Sequence, residues 1–145
     1  MSVNCEGEIT MSQATKTLEN FLNAISQMDI ESVQSMFAND VTQLVPFAPA
    51  GTPDKITGKQ AVASTFGSLP QMFKNMNYSN VEIVETTDDN FAIGFAHADA
   101  TLTNDTPYDQ NYVFYVRINN DGLISEYREY MNPVKLGEAI AQLTK

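Results

Sequence analysis

Residues 108–133 read YDQNYVFYVRINNDGLISEYREYMNP, and the fold turns on this stretch. Tyr112, Val113, Phe114, Tyr115, Val116 and Ile118 are aromatic or β-branched, the residue types that suit a pleated, half-buried strand. Asn119-Asn120-Asp121-Gly122 follows, where Asp-Gly supplies the positive φ that a close reversal needs. A second strand runs from Leu123 to Met131 and carries Glu126, Arg128 and Glu129 among Tyr127 and Tyr130. Asn132-Pro133 then stops the sheet and starts a last helix, with Asn132 as N-cap and Pro133 in the first helical position. Long aromatic strands with ionisable groups near one end make the wall of a cup.

Outward from this hairpin, composition sets the bounds. At 145 residues the chain suits one core rather than two, and we expect a loose lead-in over 1–11 followed by a single domain over 12–145. A formal net charge of −10 argues against nucleic acid and anionic membranes as partners, because like charge repels. Cys5 is the single cysteine, so no intrachain disulfide and no cysteine-based zinc motif can form. With His97 as the sole histidine, no metal site is expected, and no organic cofactor either, since no glycine-rich phosphate loop occurs. The first ten residues have neither a basic segment nor an apolar run, which predicts a cytoplasmic protein without a signal peptide.

Upstream, Ala14, Leu18, Phe21, Leu22 and Ile25 recur at helical spacing, with Thr10 or Ser12 as N-cap. Asp29 caps a shorter helix carrying Ile30, Val33, Met36 and Phe37, and Val41 to Phe47 reads as a strand. Pro46, Pro49, Gly51 and Pro53 exclude helix and central strand, leaving either a lid or a plain surface connection. Thr57 with Gln60 reads as a capping box for a third helix bearing Val62, Phe66 and Leu69, continued by Met72, Phe73 and Met76. From Tyr78 the apolar period falls to two, and the chain becomes sheet. One strand there sets Phe91, Ile93, Phe95 and His97 on one face against Ala92, Gly94, Ala96 and Ala98 on the other. The pattern predicts an α+β cone: a strongly curved antiparallel or mixed sheet wrapped around N-terminal helices, with an internal pocket.

Tyr108-Asp109, Asn111-Tyr112, Asp121-Gly122-Leu123-Ile124 and the closing YREYMNP together resemble the SnoaL-like branch of the nuclear-transport-factor-2-like superfamily. That superfamily also holds ketosteroid isomerase, limonene epoxide hydrolase and polyketide cyclases. YREYMNP is most similar to the phenazine-biosynthesis A/B proteins, and the order of elements matches over almost the whole chain. The opening (long helix, Met28-Asp29, short helix, Phe37-Ala38-Asn39-Asp40-Val41) resembles the superfamily too. The resemblance implies the cone fold, dimers paired through the outer sheet face, and Glu129 as an acid in the pocket. At the third-helix position where the phenazine proteins carry a catalytic histidine, this chain has Thr65.

The residues themselves point the same way. Strand alternation sets Ser125, Tyr127, Glu129 and Met131 on one face, where a carboxyl among Tyr, Met and Phe would have a raised pKa and serve as general acid or base. His97 is a candidate proton shuttle, with Asp99 two residues on as a possible dyad partner. Asp109, Asn111 and Tyr115 share one strand face and Tyr112 and Phe114 the other; if the first looks inward, Asp109 and Asn111 would orient a ligand. Phe21, Phe47, Phe66, Tyr115, Tyr127 and Met131 complete the expected lining. Asp40 stands near where ketosteroid isomerases place their base, or else merely ends a helix. The expected activity is a cofactor-independent isomerase, cyclase or dehydratase acting on a small apolar or aromatic metabolite. The alternative is a non-catalytic ligand-binding or dimerisation domain. For a homodimer, either the Ala/Gly face of 92–98 or the aromatic strand 112–116 could form the contact.

Overall fold

The computed structural model describes residues 11–144, so Cys5, Thr10 and the expected lead-in lie outside the described residues apart from Met11. Helices α1 (Gln13–Ser26) and α2 (Ile30–Ser35) come first, then strands β1 (Phe37–Leu44) and β2 (Lys55–Thr57). Helices α3 (Lys59–Gly67) and α4 (Leu69–Met72) follow. Four long strands come next, β3 (Phe73–Glu85), β4 (Phe91–Leu102), β5 (Pro107–Ile118) and β6 (Ile124–Tyr130), and α5 (Pro133–Leu143) closes the chain. The six strands form one sheet in the order β2-β1-β6-β5-β4-β3. All neighbours are antiparallel except β1 and β6, so the sheet is mixed. Among the described residues no helix is long and apolar enough to cross a membrane.

The helix signals act largely as their residues suggest. Ser12 caps α1 by accepting from Thr15 N, Asp29 caps α2 through Ser32 N, and Asn132 caps α5 through Val134 N with Pro133 in its first turn. Several boundaries differ from expectation. Thr57 ends β2 rather than capping α3, which begins after Gly58 with no side-chain cap. Phe37 opens β1 and Phe73 and Met76 lie in β3, so the β-sheet claims residues whose apolar spacing also suited helices. In the β5–β6 turn only Gly122 takes positive φ, and Asn119 accepts from both Asp121 N and Leu123 N.

α1 lies across the concave face of β3, β4 and β5. Ala92, Ala96, Ala98 and Ala100 of β4 are buried on that face, and Gly94 among them lets α1 approach closely. A Cβ on Gly94 would stand 2.8 Å from Leu18 Cδ2. The small face of β4 therefore meets the protein's own helix, which removes it as a dimer surface. The larger side chains, Ile93, Phe95 and His97, face outward, and Phe95 is 43% exposed. On β5 the inward residues are Tyr108, Gln110, Tyr112, Phe114, Val116 and Ile118, each buried in alternation with exposed or half-buried neighbours.

Candidate active site

The base of the concave interior is aromatic. Phe21 of α1 and Phe66 of α3 pack against Tyr127 of β6, with ring centroids 5.1 Å apart for Phe21–Tyr127 and 5.7 Å for Phe66–Tyr127, and Phe37 of β1 packs on both phenylalanines. Phe21, Phe37 and Tyr127 have no exposed surface. Phe21 and Phe66, expected as ligand-lining residues, thus fill the core beneath the site, and Met131 is buried with them.

Tyr127 passes through this layer and ends in a polar contact, its hydroxyl donating to Glu129 Oε1 at 2.7 Å. Burial pushes the Glu129 carboxyl above its ordinary value, while the Tyr127 hydrogen bond favours the charged form and pulls the other way. No basic side chain contributes among the groups that act on it. Glu129 nevertheless keeps some accessible surface. The carboxyl is thus desolvated yet partly reachable.

Three more tyrosines share its field. Tyr78 of β3 and Tyr108 and Tyr112 of β5 are all held above the ordinary phenol value, by burial first and by the charge of Glu129 among the further causes. Tyr78 stands edge-on to Tyr112 at 6.4 Å, and Tyr112 stacks on Phe114 at 5.4 Å. Gln110 steadies this end of β5. Its Nε2 donates to the Tyr108 hydroxyl and to Asn132 O, and its Oε1 accepts from Asn132 N. All these phenols stay protonated near neutral pH, so they can donate to a ligand oxygen. Tyr78 also lines a groove of about 480 Å³ between α1 and β3, with Leu22, Asn23 and Ile83. Tyr108 lines a second groove of about 220 Å³ under α5, with Lys135 and Ala139.

Several expected site residues do not join this group. Asp109, Asn111 and Tyr115 lie on the outer face of β5, the face opposite Tyr112 and Phe114. Asp109 is exposed and ion-paired with Lys135 at 3.0 Å, which holds its carboxyl below the ordinary value. His97 shares that outer face. Its Nδ1 meets Asn111 Oδ1 at 2.8 Å and its Nε2 meets Asp99 Oδ1 at 3.4 Å, contacts that raise its pKa. Neither His97 nor Asp109 is therefore placed to share a proton with Glu129. Tyr115 carries Arg128 over its ring at 4.3 Å. Phe47, in the 45–54 connection, is 57% exposed and packs on Tyr130, while Pro49 approaches Gly137 of α5. That connection is braced on the outer side of β6 and on α5, the surface reading rather than the lid. Asp40 is exposed within β1. Tyr78, Tyr108, Tyr112 and the amide of Gln110 are not among the site residues that the sequence singles out; alternation along β5 groups the last three without saying which way they face, and Tyr78 stands apart on β3.

The SnoaL-like domain profile matches residues 18–127. This chain belongs to the SnoaL-like domain family. The match stops just short of Glu129. An uncharacterised PhzA/B-like protein of Pseudomonas aeruginosa is 26% identical over 128 residues, covering 88% of this chain and 89% of that protein. The crystal structure of a Bacillus subtilis protein, provisionally named an isomerase, superposes with a TM-score of 0.81 at 26% identity, covering 89% of this chain and 93% of the other. A Mycobacterium tuberculosis protein crystallised with estradiol-17β-hemisuccinate shares the fold at a TM-score of 0.70 and 20% identity, over 86% of this chain and 98% of that one. The architecture of this SnoaL-like chain is that of the NTF2-like cone folds.

Among the described residues of this SnoaL-like protein, no group of three or more His, Cys, Asp or Glu side chains is gathered closely enough to hold a metal ion.

Proposed function

We propose that this SnoaL-like protein binds a small, largely apolar cyclic metabolite and moves a proton on it with Glu129, as a cofactor-independent isomerase, cyclase or dehydratase. The observation that carries this reading is the setting of Glu129: a carboxyl raised by burial, with the Tyr127 hydroxyl as its hydrogen-bond partner and tyrosine rings around it. A desolvated carboxyl without a cation costs the fold stability, and tuned proton transfer is the use such a group serves. The steroid held by the mycobacterial neighbour supports a ring-shaped ligand, and the provisional name of the Bacillus neighbour supports the reaction class. The phenazine reaction gains no such support, because the Thr65 side chain is exposed and bonded to Ala61 O at 3.1 Å.

Deuterium uptake from D2O into cyclic ketones such as 2-tetralone and 5-androstene-3,17-dione tests the reading. The wild type should exchange protons next to the carbonyl, and Glu129→Gln should slow that exchange by about 100-fold or more. Ketones that bind but exchange at the background rate would favour a second reading, a binding or dimerisation domain, which the self-filled Phe21, Phe37 and Phe66 layer supports.

On either reading a second copy is the proposed partner of the outer face. Ile93, Phe95, Val113 and Tyr115 from β4 and β5 present apolar surface there, with Val84 of β3 alongside at 40% exposure. Sedimentation should give a dimer that Phe95→Glu converts to a monomer.

A further inference from the structure

The two deeply buried amides of the concave face differ in one respect. Gln110 is 1% exposed and has partners at both ends of its amide. Gln43, on β1, is 5% exposed, yet its Oε1 is buried with no hydrogen-bond donor among the described residues. A buried acceptor left unpaired is costly, and native folds rarely keep one without a use.

Its place in the sheet says what that use is. Gln43 is paired in register with Ile56 on one side and with Tyr127 on the other. Ile56 offers no side-chain donor. Tyr127 has one hydroxyl, and it already donates to Glu129 Oε1. Gln43 is buried on its strand in alternation with half-buried Thr42 and Leu44, and so stands beside Tyr127 on the inner face. Gln43 therefore stands beside Tyr127 in the sheet, and neither residue directly paired with it has a side-chain donor left to serve its Oε1.

We infer that Gln43 Oε1 accepts a hydrogen bond from the ligand of the Glu129 site, so that this ligand carries a hydroxyl or N–H group as well as an apolar ring. The inference rests on the reading of Glu129 as the centre of a ligand site. It adds a specificity: Gln43 distinguishes ring compounds bearing a donor from those of the same size without one. Gln43 is a binding residue in this scheme and takes no part in proton transfer.

The test compares 2-naphthol with 2-methylnaphthalene, in which a methyl group of similar size replaces the hydroxyl. Affinities are measured for wild type, Gln43→Leu and Gln43→Met, and the side-chain carbonyl carbons of Gln43 and Glu129 are followed by NMR. Wild type should favour the naphthol by roughly tenfold, and both variants should bring that ratio below about twofold while holding 2-methylnaphthalene as well as before. The Gln43 carbonyl signal should move with naphthol and not with the hydrocarbon, a readout that needs no variant. An unchanged ratio in the variants, with both probes still moving the Glu129 signal, would overturn the role of Gln43 and leave the Glu129 site standing; buried water would then be its partner. If neither probe binds the wild type, the ligand-site reading falls and this inference falls with it.

Discussion

The Tyr127 hydroxyl donates to Glu129 Oε1 at 2.7 Å, and the two residues stand two apart on one face of β6. Two opposed influences meet in that contact. Burial disfavours the carboxylate, and the phenol favours it. Tyr127 in turn is anchored with no exposed surface among Phe21, Phe66 and Phe114, so its hydroxyl has little freedom to leave. The balance that sets the proton affinity of Glu129 is built into the packing of the core.

Tyr127→Phe removes one side of that balance and keeps the ring. Desolvation then acts unopposed, and the Glu129 pKa should rise further. The cost in stability should be about 1 kcal/mol, typical of one lost hydrogen bond. Carbon-detected carboxyl titration reads the first effect and thermal melting the second. A midpoint that falls, or stays put, would mean the hydrogen bond does not tune the acid.

Glu129→Gln should make the protein more stable at neutral pH and change it least in acid. The folded pKa is raised above the unfolded value near 4.5. The contribution of this group is therefore fully present below 4.5 and is lost as pH rises through the folded value. A neutral amide cannot ionise and escapes that loss, while still accepting from Tyr127. Melting curves from pH 4 to 8 should show variant and wild type diverging with pH, the variant higher. A gap that narrows as pH rises would reverse the sign and refute the buried-acid account.

How far this site was legible depends on one bulge. Alternation along β6 sets Tyr127 and Glu129 on one face, and the structure turns that face inward. Extending the simple hairpin register from Ile118↔Ile124 would set Glu129 opposite Val113, and so on one face with Asn111 and Tyr115. The register instead shifts between Arg117 and Ile118, and Phe114 lies opposite Glu129. One extra residue turns every side chain of the partner strand to the other face. That shift moved Asp109, Asn111 and Tyr115 outside and brought in Tyr108, Gln110 and Tyr112. Nothing local in the sequence marks it: Ser125 is an ordinary strand residue, and the Asn119–Gly122 turn is the same in either register. The cone itself was more legible, because the helix caps, the change of period at Tyr78 and the Asn132-Pro133 stop are each local signals. β2 was lost among Pro46, Pro49 and Pro53, where composition argues against any strand.

His97→Gln follows from the same geometry. The imidazole lies on the outer face against Asn111 and Asp99, contacts that raise its pKa above 6.5. The folded state thus favours its protonation, an effect present below 6.5 and lost as pH rises through the folded value. Proton NMR should find a midpoint above 6.5 in the wild type. The substitution should leave the Glu129 titration, and any pH profile that depends on it, unmoved. A shifted Glu129 midpoint would show that the two sides of the sheet communicate.

Gly94→Ala tests how tightly α1 is set on the sheet. Gly94 has no positive φ, so its backbone does not need glycine; the space does. An added methyl would lie 2.8 Å from Leu18 Cδ2, and Leu18 is itself fully buried. Overpacking of this kind costs about 1–3 kcal/mol, offset by roughly 0.4–1 kcal/mol from the stiffer unfolded chain. A net loss is expected, with α1 and Phe21 displaced outward from the aromatic layer that supports Tyr127. Leu18→Ala alone should cost about 2–5 kcal/mol by leaving a cavity. In the double variant the alanine methyl enters that cavity, so the two losses should fall short of their sum by about 1 kcal/mol or more. Denaturant melts of the four proteins close the cycle. Additive losses, or a gain from Gly94→Ala alone, would mean that α1 does not rest on Gly94 as closely as the geometry requires.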